Sequence, residues 1–161
     1  MAKVLVVYYS STGNTAKMAE AVAEGVRKET VEVEVKKVAQ TKAEDLLEPK
    51  GIIIGSPTYY GGPAAEIKKL LDESIRFHGK LEGKIGGAFT SSANIGGGNE
   101  TTIMDIIKAF LIHGMIVQGT SKGDHYGPVA IGSPDRRAIA ECKLLGERVA
   151  KLVKRLLGER K

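Results

Sequence analysis

Apolar residues run unbroken from Val4 to Tyr9. Six β-branched, leucine or aromatic residues in a row predict a strand buried on both faces, as the first and central strand of a parallel sheet would be. From Thr15 the period lengthens, and Met18, Ala19, Val22, Ala23 and Val26 fall on one helical stripe. Val31 to Val38 then alternates as V-E-V-E-V-K-K-V, which predicts an edge strand with one wet face. Lys50 to Gly55 carries three isoleucines and stops at Ser56-Pro57, a short central strand. A helix is predicted from Ala64 to Ile75, with Ile67, Leu70, Leu71 and Ile75 as its stripe. Ile85 to Thr90 predicts a fourth strand. Asn99 is placed to cap a helix striped by Ile103, Ile106, Ile107, Phe110 and Leu111, and Gly114 ends it. Met115-Ile116-Val117 begins a fifth strand, Gly119 to Gly127 is open, and Val129 to Ile131 resumes or extends that strand. The final helix is predicted from Asp135 to Leu157.

Five strands alternating with helices predict an α/β doubly wound fold, because parallel strands need right-handed helical crossovers. At 161 residues, with no repeat, linker or low-complexity segment, residues 1–161 read as one domain. Ligands of such sheets sit beyond the carboxyl ends of the strands. Here the first, third and fourth strands end in polar and glycine-rich loops, which places three candidate loops on one rim.

Composition narrows the class. With 42% apolar and 27% charged residues the chain reads as a globular protein without a membrane span or signal peptide, and the cytoplasm is its expected location. The single cysteine, Cys142, permits no internal disulfide and lies in phase with Leu145, Val149 and Leu152, so it is expected to be buried and inert. No metal site is expected. The net charge of +5 is attributed largely to a solvated face of the last helix, bearing Lys143, Lys151, Lys154 and Arg155, with Glu147 four residues before Lys151. Nucleic-acid binding is therefore not expected. Few Asn, Gln and Cys beside abundant Lys, Glu and Arg point to a thermophilic source.

The turn Ser10-Ser11-Thr12-Gly13-Asn14-Thr15 opens a helix, so free N–H groups and the positive end of the helix dipole converge there on a place for an anion. It lacks the lysine of a nucleotide triphosphate loop and the repeated glycines of a dinucleotide loop. What remains suits one phosphate monoester without a metal. The plainer alternative is a polar turn in which Asn14 or Thr12 only caps the helix. A receiver domain of the same layout would need acidic residues where Ser10 and Ser56 stand. After the third strand, Pro57-Thr58-Tyr59-Tyr60-Gly61 offers an aromatic platform for a flat conjugated ring, unless one tyrosine folds into the core. After the fourth, Ser91-Ser92-Ala93-Asn94-Ile95-Gly96-Gly97 lets backbone groups approach a heteroaromatic edge. Phosphate cradle, platform and backbone-lined loop together describe a site for flavin mononucleotide, FMN.

These residues carry a family resemblance. The whole chain resembles the flavodoxin superfamily through Ser10 to Thr15. Pro57 to Gly61, Phe89 to Ser92, Gly96 to Thr102, His113-Gly114-Met115 and Tyr126-Gly127 look like the flavin-dependent NAD(P)H:quinone oxidoreductases once called tryptophan-repressor-binding proteins. The resemblance implies a flavodoxin-like sheet of order 2-1-3-4-5 with helices on both faces. It implies that Ser10 to Thr15 hold the phosphate, that Thr58 to Gly61 line the ring, and that Ser91 to Gly97 meet its polar edge. It also implies NAD(P)H as donor, a quinone as acceptor, and a homodimer or homotetramer sharing its active sites. His113 corresponds to a histidine at the flavin face, although beside Gly114 it is equally placed to cap a helix end. Tyr126 is expected to face the acceptor. The chain departs from the branch in being shorter and in carrying Tyr59 where an arginine is usual. A single-electron carrier is the alternative, against which the positive charge counts, since such carriers are generally acidic. A module that has lost its flavin is disfavoured by the intact phosphate loop.

Overall fold

The computed structural model describes residues 2–158, so Met1 and residues 159–161 lie outside the description. Ten elements alternate as read from the pattern: β1 (Lys3–Tyr8), α1 (Asn14–Lys28), β2 (Glu32–Lys37), β3 (Gly51–Pro57), α2 (Ala65–Glu73), β4 (Ile85–Ser92), α3 (Asn99–Ile112), β5 (Ile116–Val117), β6 (Val129–Ile131) and α4 (Arg136–Leu156). The sheet is parallel, in the order β2-β1-β3-β4-β5, with β6 also paired to β4. The edge strand β2 and the central β1, β3 and β4 stand where their patterns put them. The fifth position differs from a single strand. β5 pairs with Ile85 and Gly86 at the start of β4, β6 pairs with Thr90 to Ser92 at its end, and residues 118–128 leave the sheet between them. Pro128, which has no N–H to donate, still accepts from the Thr90 N–H at 3.0 Å as the chain returns.

Alternating side chains of the strands feed two cores. Val4, Val6, Ile53 and Phe89 pack with Met18 and Val22 of α1 and Leu145 and Val149 of α4. Leu5, Val7, Ile52 and Ile54 pack with Ile67 and Leu70 of α2 and Ile103, Ile106 and Phe110 of α3. Full burial of each such aliphatic side chain contributes about 1.5–3 kcal/mol, so the sheet and its four helices hold the rim loops on a rigid base. α1 and α4 cross closely at Gly25 and Gly146: a Cβ on Gly146 would lie 2.0 Å from the Val22 carbonyl oxygen.

Two stripe positions and one cap differ from the pattern. α2 tightens after Glu73 into a 3₁₀ turn, Ser74–Phe77, which swings Ile75 outward to 65% exposure. Leu111, in the last turn of α3, is 55% exposed. Asn99 does not cap α3; Gly98 does, at φ 100°, and Asn99 is the first helical residue. Asp135 caps α4, its carboxylate accepting from the Ala138 N–H at 2.7 Å. Cys142 is fully buried, and burial pushes its thiol up to about 12. The cations of α4 are matched by α1: Lys143 meets Glu24 at 2.7 Å and Lys154 meets Glu29 at 3.3 Å, while Glu147 pairs with Lys151 at 3.7 Å and with Lys28 at 2.8 Å.

Candidate functional site

Because β1, β3, β4 and β6 run parallel, their carboxyl ends share one rim. At the end of β1 the Ser10 hydroxyl accepts from the Gly13 N–H at 3.1 Å and folds the turn, and Gly13, at φ 95°, is the N-cap of α1. No side chain caps α1, and its first turn holds no carboxylate. Asn14 and Thr12 therefore do not act as caps. Among the described residues, the Ser11, Thr12 and Asn14 side chains bond to no other protein group, so hydroxyls, an amide and the free N–H groups of a helix start are all available to one anion. Thr15 is 2% exposed, and its hydroxyl lies 2.9 Å from that of Ser91 on β4.

The strand-three loop is a two-residue hairpin. The Tyr59 N–H donates to the Gly62 carbonyl at 2.8 Å and the Gly62 N–H to the Tyr59 carbonyl at 3.1 Å. The two residues between them, Tyr60 and Gly61, both have positive φ, 49° and 76°. Neither tyrosine enters the core. Tyr60 is fully exposed, and Tyr59 is exposed with its ring edge-on to Tyr9, centroids 6.3 Å apart. Pro57 and Thr58 are half-buried at the hairpin's base. The Thr58 N–H donates to the Ser91 carbonyl at 2.8 Å, and the Thr58 and Thr90 hydroxyls bond at 2.9 Å.

The strand-four loop has buried roots and an exposed tip. Ser91 and Ser92 are buried and Ala93 to Gly97 are exposed. The Asn99 amide that sequence placed in a cap donates instead to the Ser92 hydroxyl at 2.8 Å and the Asn94 carbonyl at 3.2 Å, bracing the loop from within. The Thr101 hydroxyl reaches across to the Gly61 carbonyl at 2.6 Å. Gly98 backs directly onto Gly61, where a Cβ would lie 2.4 Å from the Gly61 Cα. The second and third rim loops are thus locked to each other. Sequence reasoning named Asn99 as a cap and Thr90 and Thr101 only within motifs, and gave Tyr9 no part in this construction; hydroxyl and amide side chains flanking glycines at strand and helix ends were the available signal.

The structure places His113 away from this rim. Tyr126 is exposed in the excursion before β6, next to Gly127, whose backbone rests on the Ala88 carbonyl of β4. His113 follows the last residue of α3. That helix starts at the rim and runs 14 residues away from it, a rise of about 21 Å. There His113 is buried, its Nε2 lying 2.8 Å from the Ser74 hydroxyl. The Ser74 proton is committed to the Leu71 carbonyl at 2.6 Å, so Nε2–H must be the donor to Ser74. Nδ1 is then a bare acceptor, buried without a partner. Burial lowers the imidazole pKa, and His78 nearby adds to the effect. His113 also lines a groove of about 740 Å³ between α2 and α3, with Leu71, Ala109 and Ile112 among its other lining residues. A smaller groove, about 470 Å³, adjoins the rim between Ile95, Val129, Ile131 and Arg137.

The residues of the rim fit FMN: an uncapped, carboxylate-free helix start suits a phosphate, and an exposed tyrosine hairpin beside a glycine-rich loop suits a flat ring with a polar edge. Comparison with known proteins agrees. The flavodoxin family model matches residues 6–93. A protein of Aquifex aeolicus named flavodoxin is 41% identical, the match covering the whole of this chain and 92% of that one. A protein of Archaeoglobus fulgidus named NAD(P)H dehydrogenase (quinone) is 33% identical over 97% of this chain and all of its own. Among solved structures, the flavodoxin, WrbA-like protein from Agrobacterium tumefaciens superposes with a TM-score of 0.82 at 31% identity, over 96% of this chain and 99% of that one. With its sheet order, its uncapped loop after β1 and these matches, the chain belongs to the flavodoxin family.

Proposed function

We propose that the protein binds FMN at this rim and uses it to pass two electrons from NAD(P)H to a quinone. The observation that carries the reading is the open helix start at Gly13–Thr15, on the same rim as the Tyr59-Tyr60 hairpin. In it, Ser10 to Thr15 hold the phosphate, Pro57 to Gly61 line the ring, and Ser91 to Gly97 meet its polar edge. FMN held by these residues would supply the redox chemistry, that of accepting a hydride from a nicotinamide and delivering two electrons, with protons, to the acceptor. The chain's own contribution is to bind, orient and exclude water. For the last of these a single copy is poorly equipped, since Tyr59, Tyr60 and Ile95 on the rim loops and Ile131 at the end of β6 are left exposed. A second copy of the chain is the proposed cover, giving a homodimer or homotetramer in which Tyr126 faces the acceptor. His113 can face a flavin only in a neighbouring copy, about one helix length from its own rim.

Steady-state oxidation of NADH or NADPH by the FMN-loaded protein, with and without a benzoquinone, tests the reaction. The expected result is quinone-dependent turnover, impaired by Tyr126→Phe more than FMN binding is. The exposed Tyr60 and the flavodoxin name of the Aquifex relative favour a second reading, a one-electron carrier. A monomer that oxidises neither nicotinamide but accepts single electrons from a reductase would establish the carrier instead.

A further inference from the structure

The Thr15 and Ser91 hydroxyls form a closed pair. They lie 2.9 Å apart, at 2% and 6% residue exposure, and among the described residues neither hydroxyl has another protein partner. Each hydroxyl has one proton to give, and only one proton can lie between the two oxygens. The other is uncommitted inside a buried site, which costs part of a hydrogen bond unless an acceptor is supplied. Thr15 is the second residue of α1, at the helix start where the anion is expected, whereas Ser91 stands on β4 behind it. Serine and threonine hydroxyls both donate and accept, but a phosphate only accepts.

We propose that Ser91 is a positioning residue for the phosphate and acts through Thr15. A phosphate beside Thr15 draws the Thr15 proton to itself, and Ser91 then donates to Thr15, so both buried protons are used and point one way. Successive hydrogen bonds aligned in this sense strengthen each other. The inference rests on the FMN reading and alters one part of it, because it gives the Ser91 hydroxyl to the phosphate end of the ligand and not to the ring. Ser91 also accepts through its carbonyl from the Thr58 N–H at 2.8 Å, so the residue that completes the phosphate site anchors the ring-lining loop as well.

Titrations of the apoprotein with FMN and with riboflavin, followed by flavin fluorescence, test this without any turnover. Ser91→Ala is expected to lower the preference for FMN over riboflavin by about threefold to tenfold, the value of one hydrogen bond. Riboflavin affinity should stay near wild type, which also reports that the variant is folded. Thr15→Val should lower the preference at least as far, Ser91→Ala should add nothing in that background, and Thr15→Ser should retain the preference. Equal loss of FMN and riboflavin affinity in Ser91→Ala would place its hydroxyl on the ring and overturn the proposal, as would an unchanged preference or full additivity with Thr15→Val. A wild-type protein that binds FMN and riboflavin equally would instead overturn the FMN reading itself.

Discussion

Tyr60 holds a backbone conformation, φ 49°, that suits glycine or asparagine and that costs a bulky residue about 1 kcal/mol or more. A fully exposed aromatic held at that cost is better explained by what it binds than by the fold it sits in. Tyr60→Asn would complete the Asn-Gly pair that such two-residue hairpins prefer. We expect it to stabilise the apoprotein by about 1 kcal/mol, roughly 2–4 °C in thermal melting, and to weaken FMN binding about fivefold. Unchanged FMN affinity would separate Tyr60 from the site. His113 makes a different prediction. Its pKa is lowered on folding, so between the folded value and the unfolded value of 6.5 the unfolded chain holds more protons. Its stabilising contribution is therefore present above about 6.5 and is lost as pH falls below that. His113→Gln, which offers an amide N–H to Ser74 without titrating, should flatten the acid limb of the melting-temperature profile. Parallel profiles for the two proteins would show that another group controls that limb. The phosphate loop was legible in the sequence because its function depends on local chemistry: hydroxyls, an amide and one glycine between a strand and a helix. The Tyr60 conformation was not, since its only marker is the pair of glycines that follows.

Among the elements, the helices and central strands could be read from periodicity because each has one job, to bury a stripe or two faces. The misread positions lie where a tertiary demand ends an element early. Ile75 keeps the helical phase of Ile67 and Leu71, but the 3₁₀ turn at Ser74 rotates it outward. Leu111 sits in the final turn of α3 on the outward face, while its neighbour Phe110 takes the contact with Gly86 of the sheet. The fifth strand divides because β4 is long enough to pair with β5 at one end and β6 at the other, and the intervening residues 118–128, Tyr126 among them, leave the sheet. The crossing of α1 over α4 left no periodic trace, only glycines at 25 and 146. Alanine has the higher helix propensity by about 1 kcal/mol, so Gly146→Ala would be expected to stabilise an isolated helix. Here its Cβ would meet the backbone oxygen of Val22, and the net effect expected is a loss of about 1–3 kcal/mol in denaturant unfolding. A gain in stability would mean that the two helices can separate freely, and that they do not hold the phosphate loop at a fixed height above β1.

At the scale of the whole molecule, the sheet gathers three loops from distant parts of the chain onto one rim, the first braced to β4 through Thr15 and Ser91 and the second and third to each other through Thr58, Ser91, Thr101, Gly61 and Gly98. Several of the 24 Lys and Arg side chains are held in ion pairs between α1 and α4, as Lys143 with Glu24 and Lys154 with Glu29, and the turn from Ser10 to Thr15 carries no Lys or Arg. This leaves the helix start after Gly13 as the principal attraction for an anion within the site. That His113 lies at the opposite end of α3 could have been deduced from the topology, because a helix following a parallel strand must run back down the sheet. The sequence motif alone carried no such distance. The central claim is that the rim is built for a phosphate joined to a flat ring. Its most direct test is a fluorescence-quenching titration of the wild-type apoprotein with FMN and with riboflavin at the same ionic strength. Two charge-assisted hydrogen bonds to the phosphate predict a preference for FMN of about 100-fold or more. Equal affinity for the two flavins would contradict the account, because the open donors of Ser10 to Thr15 would then be serving no phosphate.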